Sequence, residues 1–422
     1  MLGLLAASYA LNLLDRQIIN IVAEPIKQDL SLTDTQLGMV TGLSFALLYS
    51  VMALPIARAA DRGNRVRIVG WAILVWSIFT AACGAAGSFI QLLLLRIGVG
   101  VGEAGCAPPA QSLIADEFPL EKRSGALAIF ALGSPVGAAL GLAAGGLLVS
   151  SIGWRWTIVM AGLPGVVVGV LVLKTLRDPA RQAFAAAPPR LGLVLKRLLL
   201  RRQLVFAMLG CGLLSFMNYG AMAFATSFYL RNHGLQLHDM GAALSLPPIA
   251  VIGFGLGILG GTGGALGALA GGYLGNRLAM RDMRWLVFIP AIGSLLCSLG
   301  YWAMFAVADA RVSLGLFFFA GFCSVLWAGP GTLAMQRLAE APARASALAI
   351  NLFFNSVIGL GLGPLFVGIA SDWMAPGLGE GPGLRAALLL APVAGILSTL
   401  AFAASAIGMR DAVAAAETGE MT

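Results

Sequence analysis

The chain has 422 residues, 59% of them hydrophobic and 11% charged. An ordinary soluble domain carries about twice that charge, so the bilayer must solvate most of this surface. The formal net charge of +8 does not indicate nucleic acid, because the basic residues sit in short segments flanking apolar runs, where insertion topology and anionic headgroups require them.

Apolar runs recur near 2–24, 34–57, 68–88, 91–115, 124–149, 155–175, 203–230, 244–275, 285–307, 312–336, 346–371 and 385–408. Each approaches or exceeds the roughly 20 residues that a spanning helix needs, and the alternating pattern of barrel strands is absent. An all-α membrane protein with twelve transmembrane helices follows. The first run lacks a basic leader and a small-residue cleavage pattern before Glu24, and Asp15 and Arg16 interrupt it, so it reads as a retained helix rather than a signal peptide. Cys83, Cys106, Cys211, Cys297 and Cys323 all fall inside apolar runs without metal-ligand spacing and read as small buried hydrophobes, so neither a disulfide nor a metal site is expected.

Assigning the connections alternately to two sides places 20 of the 27 Lys and Arg on one side and 5 on the other, with Arg16 and Arg96 inside spans. The basic side is expected to be cytoplasmic, with both termini on it. Between helices six and seven the chain passes from Arg177 through an Ala/Pro stretch to Pro189, then into 190–202, where Leu and Val alternate with Lys196, Arg197, Arg201 and Arg202. That segment reads either as an amphipathic helix on the inner leaflet or as an extension of helix seven. The expected organisation is a six-helix bundle over 1–176, a cytoplasmic linker over 177–202, a second bundle over 203–410 and a cytoplasmic tail over 411–422.

The two bundles are internal repeats. Pro109, Arg123 and Ala126-Leu127-Ala128-Ile129 recur as Pro330, Arg344 and Ala347-Leu348-Ala349-Ile350, each offset by 221 residues. The end of helix two, through Asp61-Arg62, pairs with the end of helix eight, through Asn276-Arg277, at an offset of 215. Parallel six-helix halves related by an axis along the membrane normal enclose a cavity near the midplane, and rocking one half against the other exposes it to each side in turn.

Asp61-Arg62-Gly63-Asn64-Arg65 after helix two resembles the loop motif of the major facilitator superfamily, and Arg96-x3-Gly100-x-Gly102-x2-Gly105 is similar to its helix-four pattern. Tyr9-x2-Asn12-x2-Asp15-Arg16, Asn64 and Gly100-Val-Gly-Glu103-Ala more narrowly resemble the spinster branch. Two departures stand out: Ala57 where the loop motif begins with Gly, and Asn276 where the second copy often has Asp. The resemblance implies a major facilitator fold in two pseudo-symmetric halves and secondary transport, with proton handling in the first half. The substrate it implies is a lysophospholipid or a sphingosine-1-phosphate-like lipid. It further implies gating roles for Asp61, Arg62 and Arg65, for Arg277 in the second copy, and for Gly133 and Pro135 in helix five.

Four ionisable residues lie well inside the spans: Asp15, Arg16, Arg96 and Glu103. Each costs about 3 kcal/mol to insert on translocon scales and is normally turned towards a cavity or a partner. Arg96 and Glu103 are seven residues apart on one helix face, and Asn12 precedes Asp15 and Arg16 by three and four, so a polar cluster between helices one and four is expected. Asp15 and Glu103 are the candidate proton carriers, since a carboxyl whose burial and neighbours change between states changes its proton affinity; the alternative is a static network in which each carboxylate neutralises an arginine. Arg16 and Arg96 either hold a substrate phosphate or tune those carboxylates. Asn12 joins them as a substrate contact, and in the second half Asn218, Asn355 and Trp327 are the candidate contacts, with Phe216, Tyr219, Phe224, Phe353 and Phe354 offering apolar surface for an acyl chain. Glycine stripes at Gly133, Gly137 and Gly141 and at Gly263, Gly267, Gly271 and Gly275 read first as helix-packing seams.

None of the four lysines stands in a phosphate-binding Gly-x4-Gly-Lys loop, and no nucleophile elbow occurs, so neither an ATP-driven pump nor an enzyme is expected. The expected protein is a monomeric carrier without a cofactor, protons being the coupling ion, in a bacterial inner membrane. A soluble organic anion or drug is the alternative substrate.

Overall fold

The computed structural model describes residues 1–179, 198–340 and 343–418, and the side chains of Leu54, Ala57, Asp61, Ala345 and 415–418 lie outside the described set. Among the described residues, ten helices are long and apolar enough to cross a membrane. The helix Leu120–Thr175 turns at Gly153, whose φ of 77° only glycine adopts without strain, and so supplies two spans. Leu2–Ile21 is the remaining span; Asn12, Asp15, Arg16 and Gln17 dilute its hydropathy. In chain order the spans are α1 Leu2–Ile21, α2 Asp34–Ala60, α3 Arg65–Cys83, α4 Phe89–Glu117, α5 and α6 on either side of Gly153, α7 Arg202–Asn232, α8 Pro248–Ala279, α9 Trp285–Ala306, α10 Ala310–Leu338, α11 Ser346–Leu378 and α12 Glu380–Ser405.

Local signals set several helix starts. Thr33 and Gln36 form a capping box before α2, the Asn64 side chain accepts from the Arg67 N–H at 2.8 Å to start α3, and Asp309 accepts from Arg311 and Val312 to start α10. Residue Asn64 of the loop motif thus caps a helix. Of the linker expected over 177–202, residues 180–197 lie outside the described residues, and most of the amphipathic segment falls there. The expected tail instead forms a helix, Met409–Thr418. Its Met409 and Val413 are buried in one cluster with Leu338 and Ala339, and Arg410 reaches Asp282 at 2.8 Å. Hydrogen bonds from Arg284 and Arg410 hold the exposed Asp282 carboxyl well below the usual carboxylate range.

Close packing relies on missing side chains. A Cβ on Gly137 of α5 would stand 1.9 Å from the Ala10 carbonyl of α1, and one on Gly267 of α8 would stand 2.0 Å from the Phe322 carbonyl of α10. Both predicted stripes are therefore packing seams, one holding α5 to α1 and the other α8 to α10.

The first six spans pack mainly among themselves, as do the last six, and the contacts between the two groups concentrate at the face opposite the arginine-rich one. There α2 meets α11 so closely that a Cβ on Gly38 would lie 2.4 Å from the Pro364 carbonyl, and one on Gly368 would lie 2.3 Å from the Asp34 carbonyl. Similarly, Gly253 of α8 rests on the Leu142 carbonyl of α5. A charged network covers these seams. Arg231 of α7 donates to Glu24 at 2.7 Å and to both oxygens of Asp34 at 2.8 Å, with all three side chains under one-tenth exposed. Asp372 of α11 accepts the Asp34 and Thr35 N–H groups at 2.9 and 2.7 Å, so a carboxylate of one half caps the first turn of a helix in the other. At the basic face, segments 107–117 of α4 and 328–338 of α10 pack principally within their own halves. The molecule is closed at one face and parted at the other.

Gly368→Val places a side chain where the Asp34 carbonyl now sits and is expected to hold that closed face apart. Spin labels on exposed Gln28→Cys and Gly377→Cys then report a longer mean distance in the variant; an unchanged distance distribution would show that the seam does not determine closure.

Candidate functional site

Four helices meet at the buried charges. From α1 come Asn12, Asp15 and Arg16, from α4 Arg96 and Glu103, from α3 Thr80, and from α2 Phe45 and Tyr49. Arg16 Nε donates to Glu103 Oε2 at 2.7 Å; the Glu103 side chain is wholly buried, whereas that of Arg16 is 19% exposed. The pair therefore has a sealed carboxylate and an accessible guanidinium. That guanidinium also lies 4.6 Å from the Phe45 ring centre and 4.9 Å from that of Tyr49, within cation–π reach. Arg96 stands 5.5 Å from the same Phe45 ring.

Asp15 is buried and accepts a hydrogen bond from the Thr80 hydroxyl. Between Asp15, Thr80, Cys83 and Arg96 there is a void of about 10 Å³, the size of a single water, and the buried Arg96 Nε beside it has no hydrogen-bond partner. Asn12 Nδ2 and Glu103 Oε1 are likewise buried without a well-formed hydrogen bond. Incomplete satisfaction at this depth is unusual and marks a place where rearrangement costs little. The expected cluster between helices one and four is present, and it extends to α2 and α3. Thr80, Phe45 and Tyr49 carried no sequence signal, because a hydroxyl or an aromatic ring is ordinary in a membrane helix.

The remaining candidates fall elsewhere. Arg65 is buried and belongs to the interior of the first half: it bonds Asp116 of α4, Asp178 beyond α6 at 2.7 Å, and the Ser112 hydroxyl at 3.0 Å. Its described partners brace three helices of one half rather than crossing to the other. The Asp61 side chain lies outside the described residues, and Arg62 is exposed on the basic face. Arg277 is exposed too, donating to the Tyr273 hydroxyl of its own helix at 2.9 Å. Gly133 packs against the Ala6 carbonyl of α1, and Pro135 lines a cleft described below.

In the second half, Asn218 donates to the Leu214 carbonyl at 2.9 Å and accepts weakly from Cys297. Asn355 accepts from Ser215 at 2.5 Å and donates to the Asn351 carbonyl. Both amides serve their own half. Trp327 is half-buried among neighbours of α8 to α10, and Phe224 is fully buried, which removes it from the expected acyl-chain surface. Tyr219 of α7 is 39% exposed.

A cleft of about 390 Å³ lies between α1, α5 and α7 to α10, on the far side of α1 residue Gln17. It forms because α5 and α8 touch at Ala139 and Gly257 and then diverge, so that a Cβ on Gly261 would meet only Ala139 at 3.9 Å. Its walls are mainly apolar, with Gln17, Ser134, Tyr301 and Ser324 as the polar lining residues.

Comparison with known proteins agrees with this architecture. The chain is 34% identical to an MFS-type efflux pump of Mycolicibacterium smegmatis over 97% of its own length and 93% of the relative. It is 28% identical to Protein spinster homolog 1 of Homo sapiens, covering 94% of this chain and 78% of that one. Among solved structures, a bacterial homolog of the human lysosomal transporter Spinster, inward-facing and unoccupied, superposes with a TM-score of 0.87 at 27% identity over 97% of both chains. Residues 5–364 match the family described as Major Facilitator Superfamily, and with twelve spans closed at one face around a buried charge cluster the chain belongs to that superfamily, as a multi-pass membrane transporter with spinster-like relatives.

Proposed function

We propose that the chain is a proton-coupled carrier that moves a single-chain anionic lipid, a lysophospholipid or a sphingosine-1-phosphate-like molecule, by alternating access. The observation that carries the reading is the partly accessible Arg16 side chain paired with a fully buried Glu103, beside a mainly apolar cleft. An anionic headgroup entering the central cavity offers Arg16 the charge-assisted hydrogen bonds that Glu103 now supplies. A buried carboxylate that loses its partner is strongly destabilised unless it is neutralised, so headgroup binding and protonation of Glu103 are linked through one arginine. Asp15, facing the water-sized void with Arg96, is the second carrier of the coupling proton.

In this reading the basic face is cytoplasmic with both termini on it, the described state faces inward, and the carrier works as a monomer in a bacterial inner membrane without a bound cofactor. Asp61, Arg62, Arg65 and Arg277 at the basic face would contribute to closing it in the opposite state, with the Gly133–Pro135 segment of α5 as the bending element. The efflux-pump relative favours a second reading, a drug or soluble organic anion as cargo.

Sealed vesicles bearing the protein are expected to move a labelled lysophospholipid saturably, faster with an imposed pH gradient, after subtraction of protein-free vesicles. Movement no greater than in empty vesicles would reject the lipid and leave the soluble anion.

With Asp15→Asn, gradient-driven accumulation is expected to collapse while counter-exchange survives, since the amide keeps the shape without titrating; full accumulation would remove Asp15 from coupling. With Arg16→Lys the planar fork is lost, and one charge-assisted hydrogen bond of about 1.5–3 kcal/mol corresponds to an apparent KM raised roughly tenfold or more. An unchanged KM would take the headgroup away from Arg16.

A further inference from the structure

We propose that the cleft between α5 and α8 holds one alkyl chain of the substrate and that the lining residues Gly264 and Ser324 set the chain length it accepts; this rests on the single-chain amphiphile read above. The cleft lies close to the headgroup position, since Gln17, the residue after Arg16, lines it. Met222 of α7, three residues and about 4.5 Å along the helix from the exposed Tyr219, lines it as well. A volume of about 390 Å³ is at the lower end of ligand cavities, which run about 300–1,000 Å³, and suits one chain rather than two. Its polar groups are few and partly turned away: the Ser324 hydroxyl donates to the Gly321 carbonyl of its own helix at 2.8 Å, and Gln17 accepts from Asn20.

The glycines along α8 divide into two kinds. A Cβ on Gly260 would stand 2.5 Å from the Phe317 ring, and one on Gly263 would stand 2.4 Å from the Phe318 carbonyl, so helix packing explains both. Gly264 is different. A Cβ there would meet only Val325, at an ordinary 3.5 Å, so no neighbour requires the missing side chain. What its absence leaves is volume inside the cleft. A larger residue at Gly264, or at Ser324 on the facing helix, would fill that volume without displacing backbone.

The test measures binding and does not depend on transport. Purified protein in lipid nanodiscs is titrated with n-alkyl phosphates from octyl to hexadecyl, and affinity is read from the shift in Tm. In the native chain each methylene that enters the cleft is expected to add about fourfold in affinity. In Gly264→Leu and Ser324→Leu that gain is expected to stop at a shorter chain while octyl phosphate binds as before. Gly315→Leu, at an exposed α10 position with nothing within 4 Å of its Cβ, serves as the control and should follow the native series. A native series without chain-length dependence, or two cleft variants that keep the native gain up to hexadecyl, overturns the inference. Chain-limited binding without lysolipid movement in vesicles would defeat the transport reading alone; lysolipid movement with an unaltered chain-length series would defeat this inference alone.

Discussion

A guanidinium at the depth of Arg16 has no bulk water to turn to, and the arrangement of the first half follows from how its charge is met. Glu103 meets it from α4, the Phe45 and Tyr49 rings meet it from α2, and part of the side chain stays accessible. Two further charges, Asp15 and Arg96, are met less completely, by Thr80, by the Phe45 ring and by a void that fits one water. Burying an ion pair rarely stabilises a fold more than well-packed apolar residues would. Four charges in one bundle of membrane helices are therefore better explained by what they do than by what they hold together.

The second constraint is that lipid supplies no hydrophobic force between helices, so contact area must come from close approach. Glycine provides it in two settings. Inside each half, the stripes on α5 and α8 fix pairs of helices permanently. Between the halves, Gly38, Gly253 and Gly368 do the same at one face only, and wide π-helical turns at Met39–Leu43, Gly255–Leu259 and Asn355–Leu362 lie along the same seams. Such turns interrupt the regular hydrogen-bond ladder and are common where helices must adjust. The inter-half seam thus combines tight steric fit with locally compliant backbone and is locked by Arg231 and Asp372, whose charges become solvated when the seam opens.

Much of this was legible in the sequence. The twelve runs, the 221-residue repeat and the four intramembrane charges are strong signals because lipid tolerates few exceptions to apolar composition. The glycine stripes are packing seams, as read, and only the fold shows that their partners are α1 and α10. The closed-face network did not show, since Glu24, Lys27, Asp34, Arg231 and Asp372 look in sequence like ordinary charges flanking helices, and only the fold reveals that they come from both halves. Arg65 is the converse: its motif suggested a gate, and its described bonds to Asp116, Asp178 and Ser112 make it a brace inside one half. Motif position identified an important residue without identifying its partners. Phe224 failed for a simpler reason, because helical periodicity does not distinguish a ring facing a cavity from one facing a neighbouring helix.

The division of labour between the halves then has a physical basis. Asn218 and Asn355 bond within the second half, so that half presents few free polar groups, whereas the first half concentrates charge at Arg16. An amphiphile spanning both must place its anion against Arg16 of the first half and its chain in the cleft between α5 and α8, and rocking the halves moves both ends together. A soluble anion would use the first surface and leave the cleft empty or wet, which its mainly apolar wall disfavours. The cleft therefore weighs towards the lipid because Gln17, the residue after the arginine that would hold its head, lines it.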